Sequence, residues 1–110
     1  MEHELGTLIA RRSYFSASDK TCAPVVELEV GAPARSPHRE DEFMCSFRLK
    51  SRGSERVKTA YGIDELQALQ LALGDAEATL RRLSRSLDSQ LRWAGDENGD
   101  LGIRIPNFSD

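Results

Sequence analysis

The most regular pattern in the chain is a ridge of leucine and alanine residues within residues 62–88. Its members recur at alternating spacings of three and four, the spacing of one face of an α-helix. Asp64 precedes the ridge as a candidate N-cap, and Gln67, three residues later, completes a capping-box pattern. The pattern therefore predicts one long helix over residues 64–88. The ridge consists of Leu66, Leu69, Ala72, Leu73, Ala76, Leu80, Leu83 and Leu87.

Ahead of the helix, three segments alternate apolar and polar residues with a period of two, the pattern of half-buried β-strands. They cover residues 25–30, 43–50 and 55–61, and a less regular segment rich in β-forming residues covers 7–15. The alternation predicts a set of inward-facing side chains. These are Val26, Leu28 and Val30, then Phe43, Cys45, Phe47 and Leu49, then Val57, Thr59 and Tyr61.

The outward positions of the same strands favour their order. Two glutamates lie on the first of the three alternating strands, and basic residues lie on the two that follow. An antiparallel meander of these strands places opposite charges on neighbouring strands of its solvent-exposed face. The outward residues are Glu27 and Glu29, then Arg48 and Lys50, then Arg56 and Lys58. We therefore expect an antiparallel meander of about four strands.

The ridge has three possible partners: the sheet of its own chain, a second copy of the chain, or a different protein. Its residues span an arc of about 120° at 100° per residue, which is broader than a coiled-coil seam. A broad apolar stripe is suited to packing on the apolar face of a sheet. We therefore expect an α+β fold in a single domain over residues 1–110, with one long helix covering one face of the meander.

Leu71 lies off the ridge, on the far side of the predicted helix, with Gly74 and Ala78 as small neighbours and Ala68 close by. The last segment of the chain, residues 91–108, reads as a hairpin or as a strand plus an ordered tail that could fold over one helix flank and bury Trp93. If this segment does not cover them, Trp93 and Leu71 together mark a partner-binding surface.

Composition and charge exclude several classes of function. Because the net charge is −3, nonspecific electrostatic binding to nucleic acid is not expected. No apolar run reaches the roughly 20 residues that span a bilayer, and the N-terminus lacks the pattern of a secretory signal. We expect a cytoplasmic protein in which Cys22 and Cys45 stay reduced, although a disulfide between them is possible.

Candidate chemistry is sparse. His3 and His38 have no second ligand at metal spacing, and the acidic residues in 96–100 lack the pattern of a calcium loop. The carboxylate pairs have simpler explanations in capping, loop solvation and turn formation. The sequence therefore predicts no catalytic residue, no metal and no cofactor, and a protein that is not an enzyme.

The run GIDELQALQLAL, residues 62–73, is followed by Leu91-Arg92-Trp93, Gly95 and Leu101-Gly102. This combination resembles a family of small bacterial proteins known only as a domain of unknown function. Its pattern is a G-x-D-x-x-Q-A-L-x-L-A-L helix after a β-meander, closed by a Trp-Gly tail. The match covers about residues 43–106. The resemblance implies a bacterial, cytosolic α+β protein and supplies no catalytic residues.

Three hypotheses for function remain open. The first is a protein-binding module, most concretely an immunity protein that covers the basic cleft of a cognate toxin. The second is a small-molecule-binding domain or enzyme that uses the helix–sheet groove, with contacts from His38, Tyr61, Gln70 and Trp93. The third is a structural protein that self-associates through a strand edge or Leu71. The partner-binding residues expected under the first are Glu40, Asp41, Glu42, Asp96, Glu97 and Asp100, together with Leu71 and Trp93.

Overall fold

The computed structural model describes residues 5–17, 23–86, 90–94 and 101–103. Within these ranges the chain forms six strands and one helix. The strands are β1 (Leu8–Ser16), β2 (Pro24–Gly31), β3 (Ala34–Arg35), β4 (Phe43–Ser51), β5 (Ser54–Gly62) and β6 (Leu91–Arg92), and the helix is α1 (Glu65–Ser86).

The four long strands form an antiparallel meander in the order β1-β2-β4-β5. The two short strands extend its margins, because β3 pairs with the start of β4 and β6 pairs with the end of β1. Helix α1 lies across one face of this sheet, over β4 and β5. The predicted α+β fold, a meander under one long helix, is therefore confirmed.

Small side chains bring α1 close to the sheet. Ala68, Ala72 and Ala76 are fully buried in the helix–sheet interface together with Leu80, and Leu69, Leu73 and Leu83 pack partly buried around them. Gly62, the last residue of β5, lies so close to the helix that a Cβ there would fall 2.6 Å from the backbone nitrogen of Ala68. The first turn of α1 thus packs almost directly on the strand backbone.

Most of the predicted ridge faces the sheet as expected, but its first member does not. Leu66 is 64% exposed, whereas Ala68, which we expected on the outer side near Leu71, is fully buried. The buried arc is rotated by about 40° from the predicted one, at 100° per residue. The close contact at Gly62 explains this difference, because only a small side chain fits where α1 meets β5.

The predicted facing of β5 is wrong. Phe47 pairs with Lys58 and Leu49 with Arg56, and paired residues share a face of the sheet. Residues 56 and 58 therefore lie on the helix side, and Val57, Thr59 and Tyr61 lie on the outer face. The physical cause is the hairpin turn at residues 52–53, which pairs Ser51 with Ser54 and so fixes the register from β4.

On the helix side, Lys58 is neutralised rather than buried among apolar groups. Its Nζ donates to Asp75 Oδ1 of α1 at 2.9 Å. The strand lies under the flank of the helix, where long basic side chains can reach both the helix and water. This arrangement shows how an edge strand can turn basic residues toward the helix without burying an unpaired charge.

The other half of the inner face, over β1 and β2, is covered by the closing segment. Leu91 and Leu101 are buried there, and Trp93 is half-buried against the core. The Tyr14 hydroxyl donates to the Leu101 carbonyl at 2.6 Å, and the Arg12 guanidinium lies 3.9 Å from the centre of the Trp93 ring. The segment is therefore an ordered tail on β1 within residues 90–94 and 101–103, and those ranges contain no hairpin.

The outer face carries the opposite charges that the meander predicts. Glu29 is buried, and its Oε1 accepts a hydrogen bond from Arg48 Nε at 2.8 Å and forms an ion pair with Arg48 Nη2 at 2.7 Å. Burial acts to raise the pKa of Glu29, but the hydrogen bond from Arg48 and the charges of Arg48, Lys50 and Arg11 outweigh it. The pKa of Glu29 is therefore lower than its ordinary value.

Candidate functional site

The acidic loop, residues 36–42, is held in place by its own backbone. The Ser36 N–H donates to the Glu42 carbonyl at 2.9 Å, which closes the loop at its base. The Arg35 guanidinium donates to the Glu40 carbonyl at 2.9 Å, and the His38 N–H donates to Ser36 Oγ at 3.0 Å. None of these three bonds uses a carboxylate, so the acidic side chains of the loop do not hold its backbone in place.

This loop forms one wall of a shallow cleft beside the start of α1. The cleft has a volume of about 230 Å³. Asp41 and Glu42 line it from the loop, and Tyr61 and Ile63 line it from the end of β5, with Arg39, Gly62 and Gln67 completing it. Two of the predicted partner-binding residues are thus brought together with apolar side chains.

The apolar side chains at this end of the molecule are unusually exposed. Ile63 is 75% exposed and Leu66 is 64% exposed, and Tyr61 is also largely accessible, with its ring 6.0 Å from that of His38. Scattered exposed leucines are ordinary, but a cluster of large apolar groups rimmed by charge is typical of interaction sites. We define the acidic end of the protein as residues 40–42 and 61–66.

The start of α1 holds this surface rigid. Asp64 Oδ1 accepts a hydrogen bond from the Gln67 N–H at 2.7 Å, and Gln67 Oε1 accepts one from the Ile63 N–H at 2.8 Å. The first bond is the predicted N-cap, and the second differs from the predicted capping box, because Gln67 accepts from Ile63 rather than from the N-cap residue Asp64. They fix the backbone of Ile63, so its exposed side chain is presented without a large loss of backbone freedom on binding.

The electrostatics of the acidic end follow from its composition. Glu40, Asp41, Glu42, Asp64 and Glu65 bring five carboxylates to this end. The ion pair within the loop joins Arg39 and Asp41 at 3.6 Å, and both side chains are highly exposed. An exposed pair of this kind contributes only about 0–1 kcal/mol to stability. The surface therefore presents a net negative rim around an apolar centre.

The remaining predicted partner-binding residues lie elsewhere. Leu71 is 48% exposed on the helix flank that faces β5, one turn before Asp75 and its contact with Lys58. Trp93 packs against Arg12 on the β1 side, so the structure does not bring it together with Leu71. Asp96, Glu97 and Asp100 lie outside the described residues.

The sequence analysis missed Ile63 and Leu66, the two most exposed large apolar residues among those that the structure describes. A signal for Ile63 was present, because it lies between the last residue of a strand and a helix N-cap, where no core position exists. Leu66 had no such signal, since it continues the ridge. Only the close approach of Gly62 to α1 rotates it outward.

The groove expected between helix and sheet is filled along the first turns and the middle of α1. Ala68, Ala72 and Ala76 have no exposed surface there. The side chains proposed to line it do not converge, since the His38 and Tyr61 rings lie 6.0 Å apart near the end of β5, whereas Trp93 lies over β1. Cys45 is also buried, and burial raises the pKa of its thiol.

Two findings concern other classes of site. Among the residues that the structure describes, no group of three or more His, Cys, Asp or Glu side chains could hold a metal ion. Within the described ranges, no helix is both long enough and apolar enough to cross a membrane.

Comparison with known families matches residues 10–105 to the family described as Domain of unknown function (DUF6968). The chain belongs to this family. The match covers most of the protein, from β1 to the closing segment, and confirms the resemblance seen in the helix and tail motifs. Neither a curated protein nor a solved structure matches the DUF6968 chain.

Proposed function

We propose that this protein is a non-enzymatic binding module that uses its acidic end to hold a basic surface of another protein. The observation that carries the proposal is the juxtaposition of exposed Tyr61 and Ile63 with the carboxylates of Asp41 and Glu42 in one cleft. An apolar centre supplies affinity when it is desolvated, and a charged rim supplies orientation and a fast encounter. The two features together suit a protein partner better than a small ligand.

The more specific form of the proposal is an immunity protein whose partner is a toxin with a basic catalytic cleft. A preformed, negatively charged surface is electrostatically complementary to such a cleft. The hydrogen bond that closes the acidic loop and the bond from the Ile63 N–H to Gln67 Oε1 hold the backbone of this surface in place. Binding then loses little conformational entropy, which favours tight inhibition.

The test is capture of partners from a lysate of the source cells at low salt, followed by titration of the purified partner. We expect a 1:1 complex whose association rate falls as salt is raised, because the encounter is steered by charge. The triple variant Glu40→Gln/Asp41→Asn/Glu42→Gln should slow association. Ile63→Ser should weaken binding by about tenfold, as expected for a central apolar contact.

A matched control separates the acidic end from exposed apolar groups in general. Leu71→Ser removes another exposed aliphatic side chain, on the flank of α1 that faces β5, and should leave the affinity unchanged. Equal weakening by Leu71→Ser and Ile63→Ser would contradict the proposed surface. A partner whose own activity is undiminished in the complex would contradict the immunity function specifically.

A further inference from the structure

A second cleft lies at the opposite end of α1, between its last turns and the β4–β5 hairpin. Its volume is about 220 Å³. Arg56 lines it from β5, and Arg82 lines it from α1, while Leu49 and Leu83 form its apolar floor. Its size is below the roughly 300–1,000 Å³ of sites for drug-sized molecules, so a ligand must be small.

The cleft is positively charged and has no acidic lining. No carboxylate occurs among its lining residues. Within the described part of the chain, Arg56 has no ion pair. Arg82 Nη2 donates to Thr79 Oγ1 at 3.3 Å, a contact with a hydroxyl that leaves its charge unneutralised. Asp75, one turn before Thr79, is already bound to Lys58 at 2.9 Å.

Hydroxyl groups complete the polar part of the lining. Ser51 and Ser54 flank the hairpin turn, and Ser86 ends α1. Each hydroxyl can donate one hydrogen bond to an acceptor in the cleft. Guanidinium groups bind phosphoryl oxygens through two parallel N–H bonds, and serine hydroxyls add further donors to the same oxygens.

We propose that this cleft binds the phosphoryl group of a small anion, held between Arg56 and Arg82. The shared chemistry is a phosphate dianion, supplied either by free phosphate or by a phosphate ester. Leu49 and Leu83 would contact the short carbon portion of an ester, which free phosphate lacks. This inference is independent of the acidic end and its protein partner.

The helix dipole does not account for the pair of arginines. Arg82 near the end of α1 is explained by the negative end of the dipole, which attracts cations. Arg56 belongs to β5, and its strand position is set by the hairpin register rather than by the helix. Arg56 and Arg82 come from different elements and line one cleft whose lining contains no carboxylate, a combination that suits an anionic ligand.

The experiment is an NMR titration of the isotopically labelled full chain at constant ionic strength, maintained with chloride. The probes are inorganic phosphate, glycerol 3-phosphate and glycerol. We expect saturable shifts at the amides of residues 51–56 and 79–86 with the two phosphate compounds and none with glycerol. Tighter binding of the ester assigns the site to phosphate esters, and equal or tighter binding of inorganic phosphate assigns it to free phosphate. Shifts that do not saturate with either compound would overturn the proposal.

Variants test the two arginines directly. Arg56→Gln and Arg82→Gln should each weaken phosphate binding by about 10- to 100-fold, the effect of losing a charge-assisted contact. Arg56→Lys keeps the charge but loses the bidentate geometry, so its phosphate affinity should lie between that of Arg56→Gln and that of the wild type. Arg85→Gln is the matched control, because Arg85 lies on the same helix but lines a different cleft, with Arg81 and Leu91. Equal weakening by Arg85→Gln would show a nonspecific charge effect and overturn the site.

Discussion

The two ends of α1 differ in charge and in packing, and the two differences have separate causes. The carboxylates near the N-terminus and the arginines near the C-terminus both complement the helix dipole. The distance between the helix and the sheet depends instead on side-chain size. Gly62 and Ala68 let the first turn touch the sheet, whereas the last turns stand over Arg56 and leave a cleft. The charges on the helix therefore have the same origin at both ends, whereas the closeness of the helix to the sheet is set by the side chains present at each end.

The largest predicted effect tests the close end of the helix. Gly62→Ala places a Cβ 2.6 Å from the Ala68 nitrogen, a backbone atom that cannot move aside alone. We expect a loss of about 3 kcal/mol in the free energy of unfolding, at the upper end of the overpacking range. Urea denaturation of the two proteins measures the difference.

Gly74→Ala is the control for this variant. A Cβ at Gly74 meets no atom within 4 Å, and the residue is in the interior of α1. We expect a gain of about 0.5–1 kcal/mol, since alanine is the better helix former. Two glycine substitutions with opposite signs would establish close packing at the acidic end, and equal losses would contradict it.

The next effect concerns a carboxylate that stabilises the fold. Glu29→Gln removes the partner of Arg48 in the outer-face network and should lower the free energy of unfolding by about 1–2 kcal/mol at pH 7. The pKa of Glu29 is lowered in the folded protein. Such a group stabilises the folded state at pH values above its unfolded pKa, and this stabilisation is lost as the pH falls through the folded pKa.

The difference between wild type and Glu29→Gln should therefore shrink as the pH is lowered from 7 toward 3. Denaturation curves at several pH values measure it. Glu55→Gln is a suitable comparison, because Glu55 is exposed and lies 3.5 Å from the same arginine. A loss at Glu29 that is independent of pH would contradict the role of its charge.

The sequence predicted most of the fold because its signals were local. Period-two alternation identified three of the four long strands, β-forming composition suggested the fourth, and Asp64 with Gln67 marked the start of the helix. The facing of β5 was also predictable in principle. A two-residue turn after Ser51 pairs it with Ser54, and counting back from that pair places Lys58 opposite Phe47. The apolar pattern of β5 predicted the opposite facing, but the register set by the turn determines which side chains face the helix.

The candidate site was less predictable because it depends on contacts between distant residues. The acidic loop was identified from its composition, but its proximity to Ile63 requires β4 and β5 to be paired. The basic cleft depends on the same pairing, since Arg56 was expected to face outward. Its arginines are 26 residues apart in sequence, and no spacing rule links a strand position to a helix position.

A smaller effect is expected at the helix cap, where one carboxylate of the acidic end has a structural role. Asp64→Ala removes the acceptor for the Gln67 N–H and should lower the free energy of unfolding by about 1 kcal/mol. Asp64→Asn keeps an acceptor oxygen and serves as the control. If both variants lose the same stability, the charge rather than the hydrogen bond is responsible.

The smallest predicted effect separates binding from folding at the acidic end. The loop carboxylates project from a backbone whose hydrogen bonds use the carbonyls of Glu40 and Glu42, which side-chain substitution leaves intact. The ion pair of Asp41 with Arg39 is exposed and weak. Neutralising all three carboxylates also relieves repulsion between neighbouring like charges. Glu40→Gln/Asp41→Asn/Glu42→Gln should therefore change the free energy of unfolding by no more than about 0.5 kcal/mol. Thermal and urea denaturation check this directly.

A large loss of stability would mean that these charges hold the loop, and slower partner binding by the variant could then reflect a disordered surface. An unchanged stability leaves recognition as the role of the three carboxylates, in contrast to Glu29, whose charge the fold itself uses.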